Sequence, residues 1–310
     1  MTDLLVFGGD SLVGSHFLQT TRHRVMALGR RDPRAEGLAV GGFDRIDLAN
    51  TRGVEDAVRR SGAEVVVNFA AATDVDAVER ERPAFLKGHS GPAFLVNAAA
   101  PEAMARATRA TGKFLISLST DFVFDGVAGP YSEDSEPSPF SPLLSWYGWT
   151  KGEGEQRLQA ADSTAAIVRI AYPYRASYRG KLDFARKIAD AHRRHALPAY
   201  FSDQQITPTW IPDVSRAVEY LTGARKPGTF HVASPAVTTP YQFARELLSH
   251  VDDSSGELTE GSMTEFLRRA GVTPRPRKGG LTCRRLLDQG VPLTDWRDGV
   301  RLFISEGGGK

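Results

Sequence analysis

The chain of 310 residues holds a single cysteine, Cys283. That excludes an intrachain disulfide and a cysteine metal cluster. Its seven histidines are scattered, without the spacing of a zinc-binding helix, so no metal is expected. No apolar stretch reaches the roughly 20 residues of a membrane span. An excess of one charge is also missing: the net charge is +2, and no basic run is long enough for a nucleic-acid stripe. Neither nucleic acid nor a membrane is therefore expected as a partner. The first residues enter a strand without a charged leader and a long apolar run, which points to a cytoplasmic protein. What remains is ordinary for a globular α/β enzyme, with 41% hydrophobic and 25% charged residues.

The most informative stretch runs from Ser117 to Lys151. An apolar strand ends in Ser119-Thr120-Asp121, and Phe122-Val123-Phe124-Asp125-Gly126 follows. After a proline-rich loop comes Tyr147-Gly148-Trp149-Thr150-Lys151 at the start of a helical stretch. A spacing of one helical turn puts Tyr147 and Lys151 on one face. A neighbouring ammonium is expected to make the phenol more acidic. A hydroxyl from the strand end could hold a substrate oxygen beside it. Together these groups form a general acid for a carbonyl that receives a hydride.

The chain opens with the matching half of such a site. The strand Asp3 to Phe7 runs into Gly8-Gly9-Asp10-Ser11-Leu12-Val13-Gly14 and then a helix. Glycines let the backbone approach a pyrophosphate, and the helix N-terminus supplies free N–H groups. Ser11 replaces the usual middle glycine, and its hydroxyl can donate to a phosphate. The alternative is a tight strand–helix turn without a ligand. The second strand, Arg24 to Leu28, ends in Gly29-Arg30-Arg31, where an acid would favour the 2′-hydroxyl of NAD. Arginines suit a 2′-phosphate instead, so NADPH is expected, with NADH possible as well; the alternative is solvated charge. Asp47 and Leu48 are placed to meet an adenine ring. The run Glu64 to Ala72 is expected to be a doubly covered parallel strand whose small end, Ala70-Ala71-Ala72, lets a flat cofactor pass close to the backbone.

The fold class expected is α/β, a Rossmann doubly wound parallel sheet with a smaller carboxyl-terminal α/β substrate domain. The boundary falls near Tyr172: residues 1–172 for the cofactor, 173–310 for the substrate, with segments around 206–232 returning to the first domain. Asp213 is expected to cap a helix reaching Leu221, Asp252 to Glu260 to form a polar connection, and Gly307 to Lys310 to be a disordered end. Arg275-Pro276-Arg277-Lys278-Gly279-Gly280 is a basic loop that could meet a diphosphate or be ordinary surface charge.

With these residues in place, the sequence resembles the extended short-chain dehydrogenase/reductases, and within them the dTDP-4-dehydrorhamnose reductase family. The resemblance covers nearly the whole chain. It rests on Asn68 to Asp76 with Glu79, on Ser119 to Gly126, on Pro130-Tyr131-Ser132-Glu133-Asp134, and on Tyr147 to Glu153. Arg275-Pro276, Leu281 and the Trp296 segment fit as well. The resemblance implies reduction of a nucleotide-linked 4-keto-deoxysugar, with Thr120, Tyr147 and Lys151 as the catalytic trio. It implies that Thr73, Val75 and Asp76 border the sugar and that Tyr172 lies against it; a homodimer is a possible assembly, since helices flanking the active site of this superfamily often form dimers. Two other readings remain open: a non-catalytic NADP-binding regulatory subunit, and an epimerase or dehydratase of the same superfamily. Two segments, Arg82 to Val96 and Ser138 to Trp146, are longer than the family's and are expected to bear on the substrate.

Overall fold

The computed structural model describes residues 1–251 and 258–309, so the connection expected from Asp252 lies largely outside the described residues. The first half alternates strand and helix. Strand β1 (Asp3–Phe7) leads to helix α1 (Leu12–Thr20), then β2 (Arg24–Gly29), β3 (Gly42–Arg45), α2 (Thr51–Arg60) and β4 (Val65–Asn68). Short helices α3 (Val75–Glu79), α4 (Arg82–Phe85) and α5 (Pro92–Phe94) come next. A π-helical turn, Leu95–Ala99, joins α5 to α6 (Ala100–Thr111), before β5 (Phe114–Thr120), α7 (Trp146–Ala161) and β6 (Ala166–Ile170). The second half holds α8 (Phe184–Arg193), β7 (Tyr200–Phe201), α9 (Ile211–Ala224), β8 (Gly228–Val232), α10 (Pro240–Ser249), β9 (Glu260–Gly261), α11 (Met263–Leu267), α12 (Arg284–Leu287) and α13 (Trp296–Ser305).

One sheet has seven strands in the order β3-β2-β1-β4-β5-β6-β8, all parallel. This is the doubly wound order, with its switch point between β1 and β4. The sequence dictates it locally. Runs such as Leu-Leu-Val-Phe and Val-Val-Val are apolar on both faces, as strands covered by helices must be. Alternate residues then feed two cores. Leu4, Val6, Val65, Val67 and Ile116 pack with α9 residues Val214, Ala217, Val218 and Leu221. Leu5, Phe7, Val66, Leu115 and Ile167 pack with Val54, Val58, Met104 and Leu158 of α2, α6 and α7. A third core, around Tyr174, Ile188, Trp210, Phe243, Leu247, Trp296 and Phe303, knits the carboxyl-terminal helices. The pair β7–β9 forms a separate two-stranded sheet.

Two local expectations are corrected. Helix α9 begins at Ile211 after Trp210, so Asp213 lies inside its first turn. There Asp213 accepts from Thr294 N at 2.7 Å and from Arg216 at 2.8 Å, tying the chain's end to the sheet layer. Gly307 to Gly309 form a turn, Lys310 lying outside the described residues. Gly307 takes a φ of 85°, and Gly308 N donates to Phe303 O at 2.9 Å, closing α13.

Candidate active site

The carboxyl ends of β1, β4, β5 and β6 converge on one edge of the sheet, where α/β folds bind ligands. At β1, Gly8 adopts a φ of 73°, and a Cβ there would lie 2.8 Å from Ala70 N. A Cβ on Gly14 would lie 2.3 Å from Gly8 O. Both glycines are required for the turn to close against β4. Ser11 caps α1: its Oγ accepts from Gly14 N at 3.0 Å. The missing glycine is thus replaced by a helix N-cap, and its O–H stays free to donate. Leu12 and Val13 form the first turn of α1.

At the end of β2 the two arginines part company. Arg31 Nε is bound to Asp10 Oδ2 at 2.8 Å. Arg30 is exposed and, among the described residues, no side-chain partner engages it. Leu48 is buried at 6% exposure, while Asp47 is exposed and accepts from Ala49 N at 3.0 Å. Beyond β4, Ala70 N is held by Asn68 Oδ1. Ala72 is clasped on both sides by Asn97, which accepts from Ala72 N at 2.8 Å and donates to Ala72 O at 3.0 Å. Asn97 also donates to Thr150 Oγ1 at 3.1 Å, so one buried amide fixes the Ala70-Ala71-Ala72 edge against α7. It sits in the π-helical turn, a device common at functional sites. The sequence shows Asn97 on a helix but gives no sign of this clasp.

Thr120 ends β5 and is buried at 7% exposure. Its Oγ1 donates to Asp121 Oδ1 at 3.3 Å, accepts from Phe122 N at 3.2 Å, and lies in hydrogen-bonding contact with Tyr147. Ser145 caps α7 through Gly148 N at 3.1 Å and so sets where Tyr147 and Lys151 point. Gly148 permits the approach of β5's end: a Cβ there would lie 2.1 Å from Phe122 O. Lys151, 5% exposed, donates to Leu118 O at 2.8 Å.

The electrostatics depart from the simple Tyr–Lys expectation. Burial pushes the Tyr147 phenol above its ordinary range; contact with Thr120 acts the other way, and the Asp121 charge adds to the rise. Burial also pulls the Lys151 ammonium down to about 8 against the pull of Glu155. Desolvation, not Lys151, dominates the phenol here, and the ammonium is drawn to a backbone carbonyl. Tyr147 is consequently protonated at neutral pH, the form a general acid needs.

Asp121, which sequence reasoning left out of the site, is 2% exposed. Burial raises its carboxyl to about 7, while Gly280 N and Thr120 pull it down. Its Oδ2, like Ser119 Oγ, is buried without a hydrogen-bond partner.

The sugar-side candidates are brought to the same edge. Tyr172, half-buried with a φ of 45°, accepts from Gln204 Nε2 at 2.8 Å, and the same amide reaches Pro276 O at 2.9 Å. Arg275 is paired with Asp76 at 2.9 Å, so two expected substrate contacts meet each other across the cleft. Thr73 is exposed and Val75 half-buried on the same segment. The basic loop seats closely because Gly126 has no side chain: a Cβ there would lie 2.3 Å from Pro276 Cα. Arg277 and Lys278 face solvent. No group of three or more His, Cys, Asp or Glu side chains suited to a metal occurs among the described residues. Nor is any described helix long and apolar enough to cross a membrane.

The chain has counterparts among known proteins. A probable dTDP-4,6-dihydroxy-2-methyloxan-3-one 4-ketoreductase of Streptomyces antibioticus is 32% identical, over 86% of this chain and 85% of that one. The dTDP-4-dehydrorhamnose reductase of Mycobacterium tuberculosis is 32% identical, over 84% and 81%. The solved dTDP-4-dehydrorhamnose reductase of Bacillus anthracis, in complex with NADP, superposes with a TM-score of 0.78 over 98% of this chain and 99% of that one, at 22% identity. The family model described as the RmlD substrate binding domain matches residues 1–308, and the chain belongs to that family.

Proposed function

We propose that the protein is a reductase of a nucleotide-linked 4-keto-deoxysugar, using NADPH and accepting NADH less well. The observation that carries this reading is the Thr120–Tyr147 contact beside Lys151 at the carboxyl edge of the sheet. The edge fits a dinucleotide: the Gly8–Gly14 turn is closed by glycines at van der Waals limits, and α1 presents its N-terminus there.

A bound nicotinamide cofactor would supply the hydride. Tyr147, protonated and dry, would donate its proton to the developing alkoxide. Thr120 would orient the ketone oxygen. Lys151 would hold the nicotinamide ribose, and Arg30 the 2′-phosphate, with Asp47, Leu48 and the Ala70 to Ala72 edge lining the adenosine and nicotinamide paths. Thr73, Val75, Asp76 and Tyr172 would border the sugar. Arg275 would reach its diphosphate only after exchanging Asp76 for it. Residues 1–172, with β8 and α9, would form the cofactor unit and the remainder the substrate unit; a homodimer in the cytoplasm is the assembly proposed.

The test is turnover of a nucleotide keto-sugar by the native protein and by Tyr147→Phe. Loss of the proton donor should lower turnover by about 10²–10⁴-fold with cofactor affinity little changed. Cofactor binding without stoichiometric oxidation by any nucleotide keto-sugar would instead mark a binding subunit or an epimerase-like cycle.

A further inference from the structure

Arg175 leaves the end of β6 in the segment Tyr172-Pro173-Tyr174-Arg175 and is 4% exposed. A guanidinium that dry ordinarily sits on a carboxylate. Here its Nε and Nη1 are buried with no hydrogen-bond partner. Its Nη2 donates to Ser15 Oγ at 3.1 Å, a neutral oxygen in α1. Ser15 Oγ in turn donates to the carbonyl of Ser11, the N-cap, at 2.6 Å. The guanidinium therefore points at the opening turn of α1 with two of its nitrogens unspent.

The neighbouring charges do not neutralise it. Asp183 is close in sequence, but its carboxylate is taken by Arg186, at 2.7 Å from Nε and 3.0 Å from the backbone N–H. Asp183 Oδ2 also accepts from the Arg175 backbone N–H at 3.4 Å, but no carboxylate bonds the guanidinium; the Arg186 cation works against it, while Tyr178, Asp183 and Glu36 favour it without a hydrogen bond to it. His16, one residue beyond Ser15, is kept neutral: burial, then Arg175, lower it to about 4. Burial holds the Arg175 guanidinium down to about 10, unusual for a group that is nearly always charged. A second contact fixes the aim. Arg175 lies over the Tyr178 ring, 4.9 Å from its centroid, and the Tyr178 hydroxyl donates to Asp10 O at 2.8 Å. The loop that carries Arg175 is thus fastened to the same Gly8–Gly14 turn that α1 follows.

Resting on the cofactor reading above, we propose that Arg175 is a pyrophosphate-binding residue, a cation sent from the far side of the chain to complete the anion site at the N-terminus of α1. The backbone N–H groups of α1 offer a partial positive charge, and a neighbouring guanidinium adds a full one with planar donors suited to phosphate. A diphosphate would satisfy Nε and Nη1 and neutralise a charge the fold otherwise carries unpaired. The glycine turn alone gives no indication of this contact, because Arg175 and Ser15 are 160 residues apart in sequence.

The test is cofactor affinity, measured by fluorescence titration of the native protein, Arg175→Gln and Arg175→Lys with NADPH and, separately, NADH. One charge-assisted contact corresponds to roughly a tenfold to hundredfold loss of affinity in Arg175→Gln. Because both cofactors carry the pyrophosphate, the loss should be equal for the two, and smaller in Arg175→Lys. A loss confined to NADPH would assign Arg175 to the 2′-phosphate and overturn the proposal, as would unchanged affinity for both. Without cofactor, Arg175→Gln should melt no lower than the native protein, since it removes an unpaired buried charge. A purely structural arginine would lower the melting temperature and leave affinity in the folded fraction intact, which also overturns it. Should the Gln variant not fold, a crystal structure of the native protein with NADP decides. It should show a diphosphate oxygen within about 3.2 Å of the guanidinium; a diphosphate out of reach ends the proposal. If the native protein binds neither cofactor, the functional reading itself fails, a result distinct from all of these.

Discussion

Replacing Lys151 by Met should make the protein more stable and less active at the same time. Lys151 is 5% exposed, and its ammonium donates to one backbone carbonyl, Leu118 O, at 2.8 Å. Burial lowers it to about 8, from an ordinary value near about 10.4. At about 1.36 kcal/mol for each tenfold change in proton affinity, the folded state carries a penalty on the order of 3 kcal/mol for keeping this charge. The sign follows from linkage. Between about pH 8 and 10.4 the unfolded chain binds the lysine proton and the native chain releases it, so unfolding free energy rises with pH across that window. Below about pH 8 both states are protonated and the penalty is present in full.

Met keeps the length and apolar stem without the charge. Its variant forfeits one hydrogen bond, worth about 1 kcal/mol net. The variant should therefore be more stable at pH 7 by about 1–2 kcal/mol, the difference between those two contributions. The gap should shrink toward zero, or reverse, by about pH 10. Urea unfolding of cofactor-free protein at pH 7 and pH 10 measures it, and turnover of the same samples should fall sharply in the variant. A Met variant less stable than the native protein at pH 7, with a gap that does not move between the two pH values, would refute the assignment of a desolvated, penalised ammonium.

Arg30 and Arg31 should differ. Arg30→Ala should cut the NADPH-over-NADH preference in kcat/KM by about tenfold, one charge-assisted contact, whereas Arg31→Ala, already spent on Asp10, should move it much less. Equal effects from the two variants would count against this. The buried pair of Arg169 and Glu155, at 2.6 Å, should be sensitive to half-removal. Glu155→Gln leaves Arg169 unpaired and should lower unfolding free energy by about 3–5 kcal/mol in urea titrations, against near-native values if the pair is dispensable.

The frame of the site is legible in the sequence because it is local. The glycine turn follows β1 and opens α1, and a tyrosine and lysine one turn apart must share a face wherever the helix goes. The apolar runs of β4 and β5 specify doubly covered parallel strands, and a strand that stops at Ser-Thr-Asp announces its carboxyl end. What escapes is set by partners distant in sequence. Asp121 stands beside Thr120, yet its altered acidity comes from burial under the loop of Gly279 and Gly280. The sequence places a helical asparagine at Asn97 and says nothing of its clasp on Ala72. The sign of the Tyr147 shift fails for the same reason: proximity of Lys151 is visible, but desolvation is a property of the packed fold.

The two long segments illustrate how such distant packing can matter to chemistry. They are expected from the sequence to bear on the substrate, and the structure sets them against the helix that carries Tyr147. Phe85 packs on Trp146 and Trp149 with ring centroids 4.8 and 5.2 Å apart, and Trp146 stacks on Trp149 at 4.3 Å. Phe94 closes the group, 6.2 Å from Trp149. Such pairs contribute about 0.5–1.5 kcal/mol each beyond their buried area. Polar contacts lock the same corner. Glu79 accepts from Trp146 N at 2.6 Å, at the positive end of α7, and Arg82 bridges from Glu79 to Leu144 O at 2.7 Å. Trp146 immediately precedes Tyr147, so a rotation of this aromatic box would swing the phenol away from Thr120. These two segments thus help to place Tyr147, the proton donor of the proposed function. Asp76, Tyr172 and Arg275 meet apart from this box, and in the proposed function they are the residues left to border the sugar.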